Sequence, residues 1–312
     1  MTSPTARFAG IVPPIVTPLD EDGGVDVASL ERLIEHQLAA GVHGIFALGS
    51  SGETVFLTDA ERDRALEVIV KTVAGKVPVI AGCIEPSTQR VIDRARSSLR
   101  LGADALVTTA PFYAIVGPHE TERHFRSVAT ATELPLLAYD IPVCVHTKLS
   151  VDLVTRLVAE GVVAGVKDSS GDDVAFKQLL LSVADNAPEA SFSALTGHEI
   201  VVDAMMLAGA SGAVPGLANV DPAGYVRLYN ACVAGDWATA RVEQDRLTRL
   251  FRIVDAADPA TAAGATRGVG AFKTALVLLG VIDSNAVSLP LRPLDAEETG
   301  RVRTHLEQAG LL

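Results

Sequence analysis

Short, continuously apolar runs recur along the chain. Each is closed by turn residues and followed by a longer stretch whose apolar positions fall at helical spacing. Eight runs stand out, at residues 11–16, 45–48, 77–81, 105–107, 135–139, 162–166, 192–195 and 210–214. They are mostly aliphatic and do not alternate with polar residues, the pattern of strands buried on both faces of a parallel sheet. The stretches between them predict helices. Thr58 and Glu61 form a capping box ahead of Ala65, Leu66 and Ile69. Ser150 can cap a helix carrying Leu153, Val154, Leu157 and Val158, which Gly161 closes. Asp221 followed by Pro222 reads as an N-cap with proline at the first helical position, and Asp26 and Ser87 can cap two more helices. Eight strands, each followed by a helix, predict a (β/α)8 barrel. A doubly wound sheet shares the alternation but usually has fewer strands and a recognisable nucleotide loop.

The repeating units end near Gly235, so residues 1–235 are expected to form the barrel and carry the active site. Residues 236–312 show no strand pattern. Helices are predicted around 237–254, 270–279 and 295–308, with a loop over 255–268 rich in Ala, Asp, Thr and Gly. This tail is expected to pack on the barrel as a helical extension. The whole chain of 312 residues is 48% hydrophobic and 21% charged, which is ordinary for a globular fold and excludes a disordered one. Lys and Arg number 26 against 38 Asp and Glu, a formal charge of −12. That balance lacks the basic footprint of a nucleic-acid binder and disfavours an anionic membrane surface. Three cysteines are too few and too scattered for a disulfide framework. No apolar stretch reaches the ~18 residues of a membrane span, and residues 1–10 lack a signal-peptide core. The expectation is a cytoplasmic protein with reduced thiols.

In barrel enzymes the chemistry sits at the C-terminal ends of the strands. The polar residues that follow the apolar runs are therefore the candidates. They are Gly49-Ser50-Ser51-Gly52-Glu53, Thr108 to Tyr113, Tyr139-Asp140-Ile141-Pro142, Lys167-Asp168-Ser169-Ser170, and Thr196-Gly197-His198-Glu199. Lys167 directly follows an apolar run, so its stem starts inside the barrel mouth. A lysine in a dry site can act as an amine nucleophile and form Schiff bases with carbonyl substrates. Position alone slightly favours a lysine that pairs with Asp168 or snorkels to solvent. Tyr139 is either a general acid–base or a packed core aromatic. The small-residue turn at 49–52 offers backbone N–H groups and two hydroxyls to an anionic oxygen, most plausibly a carboxylate. The seven histidines form no zinc-binding pattern. His146 and His198 follow strand ends, and Cys144 lies near the same rim without a partner pattern. The charged stretch 61–67 reads as a solvated helix face.

Four motifs in order resemble the family of dihydrodipicolinate synthase and N-acetylneuraminate lyase: Gly49-Ser50-Ser51-Gly52-Glu53, Tyr139-Asp140-Ile141-Pro142, Gly165-Val166-Lys167-Asp168-Ser169-Ser170-Gly171 and Gly209-Ala210-Ser211-Gly212. The resemblance runs from about Gly10 to the final helices. It implies a Schiff-base class I aldolase or lyase on a (β/α)8 barrel with a C-terminal helical extension, needing no metal and no organic cofactor. Lys167 would attack the ketone of pyruvate or another 2-oxo acid. Tyr139 would move the proton, and Ser50 would connect it to a relay. Ser51 and the amides of the Gly49 turn would hold the substrate carboxylate. Tyr113 resembles a relay tyrosine supplied by a neighbouring subunit, which implies a homodimer or homotetramer. Cys144 stands where the synthase branch carries a carboxylate-gripping arginine. Ser169, Gly197, His198, Glu199, His146 and Val214 would line the rest of the substrate site. The expected substrates are a small-molecule 2-oxo acid and an aldehyde, with reversible aldol cleavage of a 2-keto-3-deoxy sugar acid to pyruvate plus an aldehyde, or its dehydration through the same imine, favoured over the lysine-pathway condensation of pyruvate with aspartate semialdehyde. The chain is thereby expected to lie nearer the sugar-acid branches than the true synthase. A non-catalytic barrel that only binds a carboxylate, and a metal-dependent aldolase, are the readings of other classes.

Overall fold

The computed structural model describes residues 6–20 and 22–312; the first five residues of the 1–10 segment considered above lie outside the described residues. Strand β1 (Gly10–Ile11) leads through α1 (Val27–Ala39), β2 (Ile45–Ala47), α2 (Asp59–Val73), β3 (Val79–Gly82), α3 (Thr88–Arg100), β4 (Ala105–Thr109) and α4 (Pro118–Thr130). Then come β5 (Leu136–Asp140), the single turn α5 (Pro142–Val145), α6 (Val151–Ala159), β6 (Gly165–Asp168), α7 (Asp173–Asn186), β7 (Ser193–Thr196), α8 (Val202–Ala208) and β8 (Gly212–Ala213). Each of the eight apolar runs contains or overlaps one of these strands. All strand pairs are parallel, in the order β1-β8-β7-β6-β5-β4-β3-β2.

The first strand is the shortest match to its run because Pro13, Pro14 and Pro18 supply no N–H to a ladder. The carbonyls remain, and the contact between β1 and β2 uses that of Pro13. Phe46 N donates to Pro13 O (3.0 Å), His43 N to Ile11 O (2.8 Å), and Ile15 N to Phe46 O (2.9 Å). With these bonds the two ends of the strand order meet, consistent with a (β/α)8 barrel. Two glycines permit the closest backbone approaches. A Cβ on Gly212 would lie 2.1 Å from Gly10 O, and one on Gly82 would lie 2.1 Å from Leu48 O.

The helices bury one apolar face each, for example Leu30, Leu33 and Ile34 on α1 and Leu66 and Ile69 on α2. Thr58 and Glu61 make both bonds of the capping box, and Asp26 and Ser150 accept from the amides of their first turns. Ser87 takes the N-cap position but makes no capping bond; the hydroxyl of the next residue, Thr88, bonds His124 Nδ1 (3.0 Å). The 61–67 stretch is solvated only in part. Arg62 turns inward, is buried, and pairs with buried Glu85 in the loop before α3.

After a 3-10 turn (Gly216–Asn219), α9 (Pro222–Val233) opens with Asp221 as its N-cap, and α10 (Trp237–Phe251), α11 (Ala271–Leu278) and α12 (Ala296–Gln308) follow. The expected 255–268 loop ends early, since a π-helical turn already occupies Thr266–Gly270 and runs into α11. Among the described residues no helix is long and apolar enough to cross a membrane.

Candidate active site at the strand ends

Pairing in the sheet brings the two main candidates together. Tyr139 on β5 lies opposite Lys167 on β6, and the next pair in register is Asp140 with Asp168. Successive residues of a strand face opposite ways, so the two pairs serve different sides of the sheet. Lys167 and Tyr139 are 4% and 2% exposed, which settles the choice between a snorkelling lysine and a buried one. The Lys167 Nζ lies 4.1 Å from the Tyr139 ring centroid and 4.5 Å from that of Phe46, and the two rings meet edge to face. An ammonium over two ring faces is held by their quadrupoles in a site largely closed to water. Among the described residues the Tyr139 hydroxyl has no hydrogen-bond partner.

The carboxylate pair faces the other way and clamps a second lysine. Lys148 pairs with Asp140 and lies 3.9 Å from Asp168. Asp140 Oδ1 also accepts from Leu149 N (3.1 Å), and Asp168 Oδ1 accepts from the Ser170 hydroxyl and amide. Burial pushes the Asp140 carboxyl up, with Lys148 acting against it. The clamp ties the loop after β5 to the ends of both strands. Ser169 N donates to Asp140 O (2.8 Å) and Gly197 N to Asp168 O (2.6 Å), so the loops after β5, β6 and β7 are laced in sequence.

Glu199 completes the far wall. Its Oε2 accepts from Leu217 N (2.6 Å), and its backbone carbonyl accepts from the Tyr225 hydroxyl and Gln244. Desolvation pushes its carboxyl up to about 7; the Leu217 and Gly216 amides and the nearby Lys167 charge oppose that rise. A group poised there can hold or release a proton near neutral pH. Gly216 is glycine for lack of room, since a Cβ there would sit 2.8 Å from the Phe272 ring of α11. Gly197 packs against Ser169, whose Oγ would lie 2.0 Å from an added Cβ. His198 Nδ1 lies 3.1 Å from Asp173 at the start of α7. Val214 is buried beside them, its amide on Thr196 O (2.7 Å).

The turn after β2 has Gly49 against the Phe46 ring, Ser51 half-buried and Ser50 exposed. No hydrogen bond joins Ser50 to Tyr139 among the described residues. Leu48 and Glu53 flank the turn with φ of 56° and 58°, left-handed values that non-glycine residues adopt rarely. Tyr113 is 96% exposed with φ of 70°, its ring directed away from the chain's own core. Cys144 and His146 sit at the exposed end of α5, His146 closing it in a left-handed conformation. Partial desolvation raises the Cys144 thiol pKa, and the Lys167 charge acts in the opposite sense.

Sequence reasoning missed four participants. Phe46 was visible as the one aromatic residue of its run. Lys148, Asp173 and the Lys273 partner of Glu53 lie outside the strand-end motifs and carried no local signal.

A model of the "Dihydrodipicolinate synthetase family" matches residues 7–309. A 4-hydroxy-tetrahydrodipicolinate synthase of Phenylobacterium zucineum is 34% identical over 306 residues, covering 98% of each chain. An uncharacterised DapA-like lyase of Halobacterium salinarum is 35% identical over 97% of this chain and 94% of its own. A prophage protein of the dihydrodipicolinic acid synthase family from E. coli K12, solved in complex with pyruvate, superposes with a TM-score of 0.91 at 29% identity. That match covers 98% of this chain and 100% of the other. None of these names sets the chain nearer the sugar-acid branches than the synthases.

Proposed function

The chain belongs to the dihydrodipicolinate synthetase family, and from that premise we propose that it is a lysine Schiff-base lyase acting on a pyruvate-derived 2-oxo acid. The observation that carries the reading is the buried Lys167 amine, 4.1 Å from the Tyr139 ring on the neighbouring strand. In this reading Lys167 adds to the 2-oxo carbon and loses water to give an imine. The protonated imine accepts the electron pair of the C3–C4 bond as it breaks, and an aldehyde leaves. Tyr139 moves the proton of the aldol hydroxyl, with Ser50 and the Tyr113 of a neighbouring copy as the relay. Ser51 and the amides of the Gly49 turn hold the carboxylate. Residues 1–235 supply the barrel and 236–312 the helical extension packed on it.

For the 2-oxo acid we favour a 2-keto-3-deoxy sugar acid, cleaved reversibly to pyruvate and an aldehyde or dehydrated through the same imine. Cys144 is neutral where a second carboxylate would need a guanidinium, and Ser169, His198 and Glu199 offer hydrogen bonds suited to sugar hydroxyls. The other reading is 4-hydroxy-tetrahydrodipicolinate synthesis from pyruvate and aspartate semialdehyde, favoured by relatives of that name at 34% and 32% identity. A homodimer or homotetramer is proposed on the exposed, left-handed Tyr113, and sedimentation velocity reads it directly.

Borohydride trapping with pyruvate, followed by intact mass and peptide mapping, tests the chemistry. A reduced pyruvate adduct on Lys167 is expected. No adduct with pyruvate or with larger 2-oxo acids would leave a carboxylate-binding barrel without the reaction. Turnover assays with sugar-derived 2-oxo acids and with aspartate semialdehyde then separate the two substrate readings. In the first reading Cys144→Arg impairs sugar-acid cleavage by placing an unpaired cation among the hydroxyl contacts.

A further inference from the structure

We propose that Lys273 is a positioning residue: its ion pair with Glu53 holds the 49–53 turn in the shape that receives the substrate carboxylate, so helix α11 of the C-terminal extension is part of the 2-oxo-acid subsite. The proposal rests on the reading of that turn as the carboxylate site.

The pair joins residues 220 positions apart and is closed to water, Lys273 being 0% and Glu53 1% exposed. Lys273 Nζ lies 2.5 Å from Glu53 Oε2 and donates also to Ala286 O (2.7 Å), while Glu53 Oε1 accepts from Ser288 N (2.7 Å). Both carboxylate oxygens are thus anchored to the segment that includes and follows α11. An ion pair buried this completely is poor at adding stability, because removing two charges from water offsets much of their attraction. Its geometric effect is different. Glu53 sits at a left-handed φ of 58°, and Leu48 on the other side of the turn at 56°. Side chains resist that conformation unless the surroundings impose it. The Glu53 side chain is held from outside the turn, and its backbone accepts from Phe56 N (2.9 Å) and donates to Ser50 O (3.1 Å). Pulling Glu53 into place therefore sets where Ser50 and Ser51 lie. On the near side the Thr17 hydroxyl fixes Gly52 O (2.8 Å). The neighbouring residue on α11, Phe272, packs against Gly216 beside Glu199. Two consecutive side chains of one helix thus brace both walls of the site.

Three variants test the proposal: Lys273→Met, the double Glu53→Gln/Lys273→Met, and Glu53→Asp. The single lysine variant strands a buried carboxylate and is expected to lose stability. The double variant keeps size and shape with no unpaired charge, and Glu53→Asp keeps the charge but shortens its reach. For each folded variant two quantities are read: amide hydrogen exchange over residues 49–57, and the pyruvate dependence of borohydride trapping on Lys167. Exchange in the turn is expected to rise ~tenfold without substrate. Half-saturating pyruvate is expected to rise ~tenfold, while trapping at saturation stays within about threefold, because a loosened carboxylate contact weakens binding more than chemistry. A merely structural pair would lower thermal stability and leave that split unmoved. Unchanged exchange and unchanged half-saturation in the folded variants overturn the proposal. Absence of an adduct in the wild-type protein would count against the Schiff-base reading alone, since the exchange measurement needs no substrate.

Discussion

Replacing Glu199 by glutamine is expected to stabilise the protein above neutral pH and to leave it unchanged in acid. Desolvation holds the Glu199 carboxyl at about 7 against an ordinary 4.5. Below pH 4.5 the folded and unfolded chains both carry the proton, and the residue contributes nothing by this route. Between 4.5 and about 7 the unfolded chain ionises while the folded one keeps its proton, so stability falls as pH rises. Above that window the loss is complete. At about 1.4 kcal/mol per tenfold change in proton affinity it amounts to about 3 kcal/mol. Glutamine keeps the length of the side chain and an oxygen for the Leu217 amide, now 2.6 Å from the carboxylate, but does not ionise. Urea unfolding of both proteins across the window reads the effect. The stability difference is expected to be small near pH ~5 and to reach about 2–3 kcal/mol in favour of the variant near pH ~8. A difference that stays flat, or that favours the wild type as pH rises, refutes the desolvation of the Glu199 carboxyl.

Lys167→Ala is expected to abolish turnover and borohydride trapping while circular dichroism and the unfolding midpoint show an intact fold; retained turnover removes the amine from the mechanism. Tyr139→Phe keeps the ring that lies against the lysine and loses only the hydroxyl, so kcat is expected to fall ~100- to 10,000-fold with little change in stability. A fall below about tenfold would make Tyr139 a packing residue. Gly82→Ala puts a methyl 2.1 Å from the Leu48 carbonyl oxygen and is expected to destabilise by about 3 kcal/mol or more in chemical denaturation. A loss under about 1 kcal/mol would mean that β3 does not approach the turn after β2 so closely.

The strands were legible because burial on both faces leaves a run with no polar interruption, and eight such runs each yielded a strand. What the pattern could not show was how far each ladder extends. β1 is cut to Gly10–Ile11 by prolines, of which Pro13 nonetheless lends its carbonyl to the contact with β2. Lys167 and Tyr139 were legible because strand-end residues of adjacent strands must meet at one rim. Ser87 shows the limit of local capping rules, since a residue of the right type at the right position still makes no capping bond. Arg62 lies in a charged stretch and is buried, because Glu85 arrives from another loop to pair with it. Glu53 was legible as part of a motif, but its hold on Lys273 was not, because contacts between residues 220 positions apart leave no periodicity. The same holds for Lys148, whose two carboxylate partners come from different strands.

The buried pair between Glu53 and Lys273 also bears on the order in which the molecule is made. Synthesis runs from the N-terminus, so the turn at 49–53, Tyr139, Lys167 and Glu199 all leave the ribosome before α11. A nascent chain that has just released β8 holds the full set of reacting groups and all eight strands. It still lacks the cation for Glu53 and the ring that packs on Gly216. Until residues 272–288 emerge, the Glu53 carboxylate lacks both its counter-charge and the Ser288 amide, a state that favours an open, hydrated turn over a closed one. In the reading proposed above, Lys167 is thus in place before the turn at 49–53 is held, so the carboxylate subsite is completed only with the last quarter of the chain.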